Sequence, residues 1–302
     1  MIKKGSVLLI VLIIISVTLA LSVSLATKNT DTYAKVTTIK NIIQSNIIAY
    51  TAAKSVLQVI QEDDNGQDSR DDIWAFPFSY EKDNILVEIA VNPLNAKVNL
   101  NNLYSGKEDI TERIMQYFDL ISEDRDIDIS IFHTIKDYID NDTESSPFGS
   151  ENSYLLKNGR ELNIKNNKLY SLYEISLFAD NESYRVINGF FTAAPYEDEK
   201  ININFASQYI IEYYLPEIES YAEDIVGYRE TNIFNDVSEL RVATSIPDEI
   251  YLKILPYITV KSNDFYVRIN IDIYGNLYYY HVLIDREKGI KLFFKGLDEN
   301  YF

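Results

Sequence analysis

The sequence predicts an α+β fold: a long N-terminal helix, a small antiparallel sheet and a large α-helical domain inserted in that sheet. Three observations predict it. No Gly or Pro interrupts residues 6–62, alternating residues mark strands near residue 90 and again after residue 264, and the stretch between reads as short helical patches. Two short strands cannot make a stable sheet alone. Those near residue 90 therefore need partners from the C-terminal end, which makes the helical stretch an insertion.

Residues 6–26, SVLLIVLIIISVTLALSVSLA, carry no charge. As a helix they span ~32 Å, about the thickness of a bilayer's hydrocarbon core. Lys3 and Lys4 precede them, so the positive-inside rule places Met1 in the cytoplasm and the bulk of the chain across the membrane. Three readings compete for this segment. It is a plain signal anchor, a signal peptide cut after the Ser24-Leu25-Ala26 triplet, or a prepilin-type leader MIKKG (residues 1–5) cut between Gly5 and Ser6. Residues 27–62 favour the third. Ile39, Ile43, Ile47, Tyr50, Ala53, Leu57 and Ile60 continue a helical stripe through them, and a discarded signal peptide has no reason to run in phase into a helix. Ile10 then takes the fifth mature position, where most pilin-like subunits carry glutamate.

Glu62–Asp72, EDDNGQDSRDD, reads as an acidic loop that ends the helix. Strands come next at Ile85–Val91 and Lys97–Leu100, with a turn at Asn92-Pro93, so 73–105 is expected to supply the first strands of the sheet. Residues 106–260 read as the insert, in two units (106–200 and 201–260), with helices at Ile110–Ile121 and Ile129–Ile139. From residue 261 to 302 three strands complete the sheet, with turns at Tyr274-Gly275-Asn276 and Glu287-Lys288-Gly289.

Composition narrows function. Lys+Arg 28 against Asp+Glu 46 gives a net charge of −18, which repels phosphate backbones and argues against nucleic acid as a partner. The chain has no cysteine and two histidines, His133 and His281; thiol chemistry is excluded and imidazole chemistry has little material. No nucleophile elbow, phosphate-binding glycine loop or zinc-protease motif occurs, so no catalytic residue is assigned and the chain reads as a non-enzyme. Both histidines read as ordinary half-buried residues and Trp74 as core.

One loop has the spacing of a hard-cation site. Asp140, Asp142, Glu144 and Glu151 occupy positions 1, 3, 5 and 12 of a twelve-residue window. It departs from the EF-hand at Ser145 and Pro147, and a solvated acidic loop is the competing reading. Asp137 falls one turn inside the preceding helix, away from the ligand positions.

Taken in order, several segments resemble general secretion pathway protein K, the large minor pseudopilin of type II secretion. They are IWAFPF (73–78), ILVEIAV (85–91), AKVNLNNL (96–103), IKDYIDNDTESSPFGSENSYLL (135–156), NKLYSLYEISLF (167–178), ININFASQYIIEYY (201–214), IVGYRETNIFNDVSEL (225–240) and ITVKSNDFYVRINIDI (258–273). Departures are Ser6 for a bulky first residue, Phe205 for the usual Thr, and Tyr138 for the usual Trp. The resemblance implies a pilin-type helix and a SAM-like, helix-hairpin-helix-like insert. It also implies a role at the tip of the pseudopilus, helping initiate its assembly for export of folded periplasmic proteins. The implied partners are minor pseudopilins I and J, the inner membrane and prepilin peptidase, with the chain single-pass and largely periplasmic. Calcium in the helical domain is implied too, which favours a structural Ca²⁺ at the acidic loop. Ile10 fits a first-in subunit, since a carboxylate in the membrane is costly without a neighbour's amine. Ile39, Ile43 and Ile47 are the expected assembly face. The helix-hairpin-helix turn reads Leu215-Pro216-Glu217-Ile218-Glu219, acidic and without glycine, so it reads as scaffold. The alternatives are a minor pilin of a type IV pilus and a membrane-anchored or secreted calcium-binding module.

Overall fold

The computed structural model describes residues 4–149, 153–155, 161–193 and 200–296. Helix α1 runs from Lys4 to Glu62, about 90 Å at 1.5 Å per residue. Residues 16–40 are exposed wherever described, so this stretch of α1 stands clear of the body. In the Ser/Thr-rich part the hydroxyls fold back onto the helix's own carbonyls and do not compete for its amides. Those of Ser22, Thr27, Thr30, Thr32 and Thr38 each donate to the carbonyl four residues earlier.

From Asn41 onward the helix lies on a five-stranded antiparallel sheet. Its strands are β1 (Phe78–Lys82) and β2 (Ile85–Pro93), then the two-residue β3 (Val98–Asn99), which lies apart from it. The insert contributes α2 (Glu108–Arg125), α3 (Ile129–Ile139), β4 (Ser153–Leu155), β5 (Glu161–Asn163), α4 (Asn181–Phe190) and β6 (Phe191–Thr192). It continues with β7 (Ile201–Asn202), α5 (Gln208–Tyr214), α6 (Ala222–Tyr228), α7 (Glu239–Thr244), α8 (Asp248–Ile254) and β8 (Ile258–Thr259). Strands β9 (Asp264–Ile273), β10 (Asn276–Asp285) and β11 (Gly289–Gly296) then finish the sheet, in the order β1-β2-β9-β10-β11. Since β2 pairs with β9 from Ile85↔Ile273 to Pro93↔Phe265, the helical domain is spliced into the middle of the sheet.

The register follows from alternation. On β9, Phe265, Val267, Ile269, Ile271 and Ile273 face α1 and are buried with Ala49, Ala53 and Ile60. Small residues on this face of α1 let the helix approach closely, and Ser45 meets the Tyr280 hydroxyl at 2.6 Å. Hairpin β9–β10 turns through Tyr274 (φ 54) and Gly275 (φ 82), the positive-φ pair that matches strand twist. Hairpin β1–β2 does the same with Asp83 (φ 53) and Asn84 (φ 61). That signal was legible in the sequence and marks the edge strand β1, which the alternation alone did not reveal.

The insert has its own core, centred on Tyr117, Phe118, Phe132 and Phe191, with Phe118 and Phe132 stacked at 4.5 Å. It repeats one device. Val98–Asn99 pairs in parallel with Phe191–Thr192, and Ile201–Asn202 with Ile258–Thr259. In each unit the strand's asparagine accepts from the amide two residues on, Asn101 N to Asn99 (3.1 Å) and Asn204 N to Asn202 (3.0 Å). The second asparagine then clamps one backbone position at both ends: Asn101 on Leu169, Asn204 on Phe234. The Lys97–Leu100 run is therefore corrected: it closes the first helical unit and does not join the five-stranded sheet. That unit starts at Val98, before the expected 106, because pairing with a strand ninety residues away is invisible to local alternation.

Candidate functional site

Gly5, Ser6 and Ile10 are helical in backbone, with side chains outside the described set. Ile39, Ile43 and Ile47 are 58%, 55% and 62% exposed. The expected stripe thus divides: Ala53 and Ile60 turn into the body, while the three isoleucines lie on the open side, opposite Asn41, Ser45 and Ala49. Together with Val36 and Tyr50, also exposed, they form an apolar ridge, separated from the apolar run 6–26 by the polar stretch 27–35. Scattered exposed apolar residues are ordinary, but a contiguous ridge marks a surface to be covered. Among the described residues, no helix is long and apolar enough to cross a membrane; within the run 6–26, residues 6–15 lie where side chains are not described.

The structure does not bring Asp140, Asp142 and Glu144 together. Asp140 is buried and turns back to Lys136, with Oδ2 2.7 Å from Nζ. Asp142 is exposed and accepts the Glu144 amide at 2.8 Å, and Glu144 faces solvent. Glu151 lies outside the described residues. Burial pushes the Asp140 carboxyl above its ordinary range, with Lys136 drawing it only partly back. Burial opposes the Lys136 ammonium, but the Asp140 bond and the charges of Asp140, Asp142 and Asp137 together outweigh it and raise its pKa.

The residue sequence reasoning set aside is central here. Asp137 is fully buried, and both its oxygens accept the Ser146 amide at 3.0 and 3.1 Å. The loop closes so tightly over it that a Cβ on Gly149 would collide with Asp137 Oδ2. Asp140 Oδ1 and Ser146 Oγ are buried with no hydrogen-bond partner among the described residues. Free buried oxygens beside a buried carboxylate fit a hard cation, although the loop's outer carboxylates point away from it.

The acidic loop after α1 forms a second cluster, also missed in the sequence. Carboxylate oxygens of Asp63, Asp68 and Asp72 lie within 4.8 Å of one another. Here the cluster already has counter-charges. Asp68, fully buried, pairs with Arg286 through Oδ1 and accepts the Ser262 amide through Oδ2, with Lys261 Nζ at 3.6 Å. Arg286 also donates to the Asp63 carbonyl, and Lys261 to the Asn65 carbonyl at 2.6 Å. Burial raises the Asp72 carboxyl, although the Ser69 amide and Asn65 pull it down. Around this clasp Asn202 donates to Ser262 Oγ (2.9 Å), Ser262 Oγ to Asn95 (2.7 Å), and Asn204 to the Asp68 carbonyl (3.0 Å). The clasp ties together the end of α1, both crossings into the insert, and β10.

Three further expectations are settled by packing. Trp74 is core, 4% exposed, stacked on Phe205 at 5.6 Å and donating Nε1 to Asp63; Phe205, the departure at a threonine position, thereby bridges insert and sheet. The histidines are buried, not half-buried: His281 is 0% exposed, its Nδ1 2.6 Å from the Tyr266 hydroxyl, and His133 lies against Phe148. In the turn 215–219, Glu217 is held bidentately by Arg113 (2.7 and 3.0 Å), whose guanidinium covers Tyr257. Burial opposes the Glu217 carboxylate, but the Arg113 bonds hold its pKa below the usual range.

A long N-terminal helix laid on an antiparallel sheet is the pilin-like arrangement, and a helical domain between β2 and β9 makes this chain an elaborated member of that fold class. No family model matches the chain, and no curated protein matches it. Among solved structures it is similar to a chain, GspK, of the GspK-GspI-GspJ complex from the type 2 secretion system of enterotoxigenic Escherichia coli. The TM-score is 0.70 at 17% identity, over 87% of this chain and 99% of that one. The fold is GspK-like.

Proposed function

We propose that this chain is a non-enzymatic minor pseudopilin of a type II secretion system, seated at the tip of the pseudopilus. One observation carries the reading: the sheet of a pilin-like body is interrupted by a two-unit helical domain, as the similarity over nearly the whole of a GspK chain reflects. An insert larger than the sheet it interrupts cannot repeat along a close-packed filament, which favours the end position. Residues 6–26 would hold the chain in the inner membrane after prepilin peptidase cuts between Gly5 and Ser6. The ridge of Ile39, Ile43 and Ile47 would meet the minor pseudopilins of types I and J, since an exposed apolar ridge on a membrane-emergent helix suits helix–helix packing between subunits.

A structural Ca²⁺ belongs to the same reading. The residues that would hold it are Asp137, Asp140 and Ser146; Asp142 and Glu144 of the expected ligand set would have to turn inward to reach it, and Glu151 lies outside the described residues. Its chemistry there would be to neutralise buried carboxylates and fix the loop.

Mass spectrometry of the mature N-terminus tests the anchor. A chain starting at Ser6 supports it, and one starting at Thr27 overturns it. Co-expression with the neighbouring pseudopilin genes tests the assembly face: Ile43→Asp should abolish co-purification while leaving the melting temperature unchanged. Retained co-purification would count against this face.

A further inference from the structure

The seam between sheet and insert holds a cleft of about 530 Å³, a volume typical of small-molecule sites. Its walls come from every part of the fold: Arg70 after α1, Lys97 at the entry to the insert, Asn188 and Thr192 of the first helical unit, Phe205 of the second, and Tyr266 of β9. In a chain of net charge −18, none of the described lining residues is acidic, while Arg70, Lys97 and Arg268 all contribute. Arg70 and Lys97 have no carboxylate partner among the described residues. Among the described residues, Lys97 Nζ donates to the Asn188 carbonyl at 2.6 Å. The wall also carries unmatched polar atoms. Thr192 is 3% exposed, and neither its hydroxyl nor the Asn188 side-chain oxygen has a hydrogen-bond partner among the described residues; that amide can turn to offer its NH₂.

We propose that this cleft is a binding site for a small organic oxyanion, a phosphate or carboxylate carried on an apolar or aromatic body. Lys97 and Arg70 supply the charge, Thr192 Oγ1 a hydroxyl donor, and Phe205 and Tyr266 the apolar wall. A bare ion would leave most of the volume empty, which is why an apolar body belongs to the ligand. Loss of solvent holds the Lys97 ammonium below the usual lysine range. Arg229, which donates to the Ile203 carbonyl, is pulled down to about 10 by burial and then by the charge of the cleft residue Arg70. Neither cation has a carboxylate partner among the described residues, and an oxyanion would relieve Lys97. The site is independent of the calcium loop and of the assembly ridge.

The sole tryptophan reports on it, because Trp74 stacks on Phe205. Full-length protein in detergent is titrated with phenyl phosphate, inorganic phosphate and the neutral benzyl alcohol, following Trp74 fluorescence and heat. Saturable binding is expected for phenyl phosphate, at least fivefold tighter than for inorganic phosphate and absent for benzyl alcohol. Arg70→Ala, an exposed change, should weaken it about three- to fivefold, and Lys97→Met about tenfold or more, as loss of a charge-assisted partner does. Lys54→Ala on α1 should change nothing. If Lys97→Met fails to fold, Arg70→Ala and the ligand series decide alone. No saturation by about 10 mM, an effect matched by sodium chloride at equal ionic strength, or equal affinity in Arg70→Ala would overturn the proposal.

Discussion

Replacing Arg286 by Met asks how much of the fold hangs on one buried ion pair. Arg286 is 11% exposed and Asp68 0% in the side chain, so the change strands a carboxylate in the interior. Removing one partner of a buried pair costs ~3–5 kcal/mol. Two supports remain to Asp68, the Ser262 amide and the Lys261 ammonium at 3.6 Å, which puts the expected loss near the low end, ~3 kcal/mol. Met keeps the contact that the guanidinium now makes over Phe265, 5.3 Å away, so lost packing contributes little. At ~2–4 °C per kcal/mol for chains of this size, the melting temperature should fall by roughly 6–12 °C. The assay is guanidinium unfolding followed at Trp74 and by circular dichroism, for Arg286→Met, Asp68→Asn and the double variant. Neutralising Asp68 as well removes the stranded charge, so the double variant should lose at least ~1.5 kcal/mol less than the sum of the singles. Single losses under ~1 kcal/mol, or simple additivity, would refute the view of Asp68–Arg286 as the clasp between helix, insert and sheet.

Other consequences are as direct. Glu217→Gln should cost ~1.5–3 kcal/mol at pH 7 by breaking a bidentate charged bond. Because Arg113 depresses the folded-state pKa of Glu217, the stabilisation is present above the unfolded value near 4.5 and is lost as pH falls through the folded one. Wild type and variant should therefore converge in acid, and a pH-independent gap would contradict the assignment. Asn204→Ala orphans the Phe234 amide and the Phe234 and Asp68 carbonyls, so a loss of ~3 kcal/mol or more is expected in urea unfolding; a loss under ~1 kcal/mol would show that water replaces it. Chelation with EGTA should lower the melting temperature if Ca²⁺ occupies the Asp137–Ser146 loop, and the effect should vanish in Asp140→Asn. An unchanged melting curve would sink the calcium reading.

The insert also explains why conservative-looking changes in it should reach the sheet. Its entry at Asn95 and its exit at Ser262 are bonded to one another, and both connect to Asp68 through two hydrogen bonds or fewer. Buried polar networks of this kind are costly when partly satisfied, so damage at one crossing propagates to the other.

How much was legible depends on the range of each interaction. Uninterrupted periodicity, the turn at Tyr274-Gly275 and the long alternations of β2, β9 and β10 are local. Residue type and spacing therefore determined α1, helices α2 and α3, the C-terminal meander and the presence of an insertion between strands. Order and spacing of segments such as AKVNLNNL and ININFAS carried the resemblance, but not the reason for their asparagines, which only the clamps on Leu169 and Phe234 reveal. Tertiary structure decided that Lys97–Leu100 pairs with Phe191–Thr192, that the α1 stripe divides into a buried and an open part, that Asp137 is buried under its loop, and that Arg286 meets Asp68. Each of these joins residues far apart in sequence, or chooses between two faces of one element. Periodicity names the face that is apolar, but only the partner that packs on it settles which side is covered.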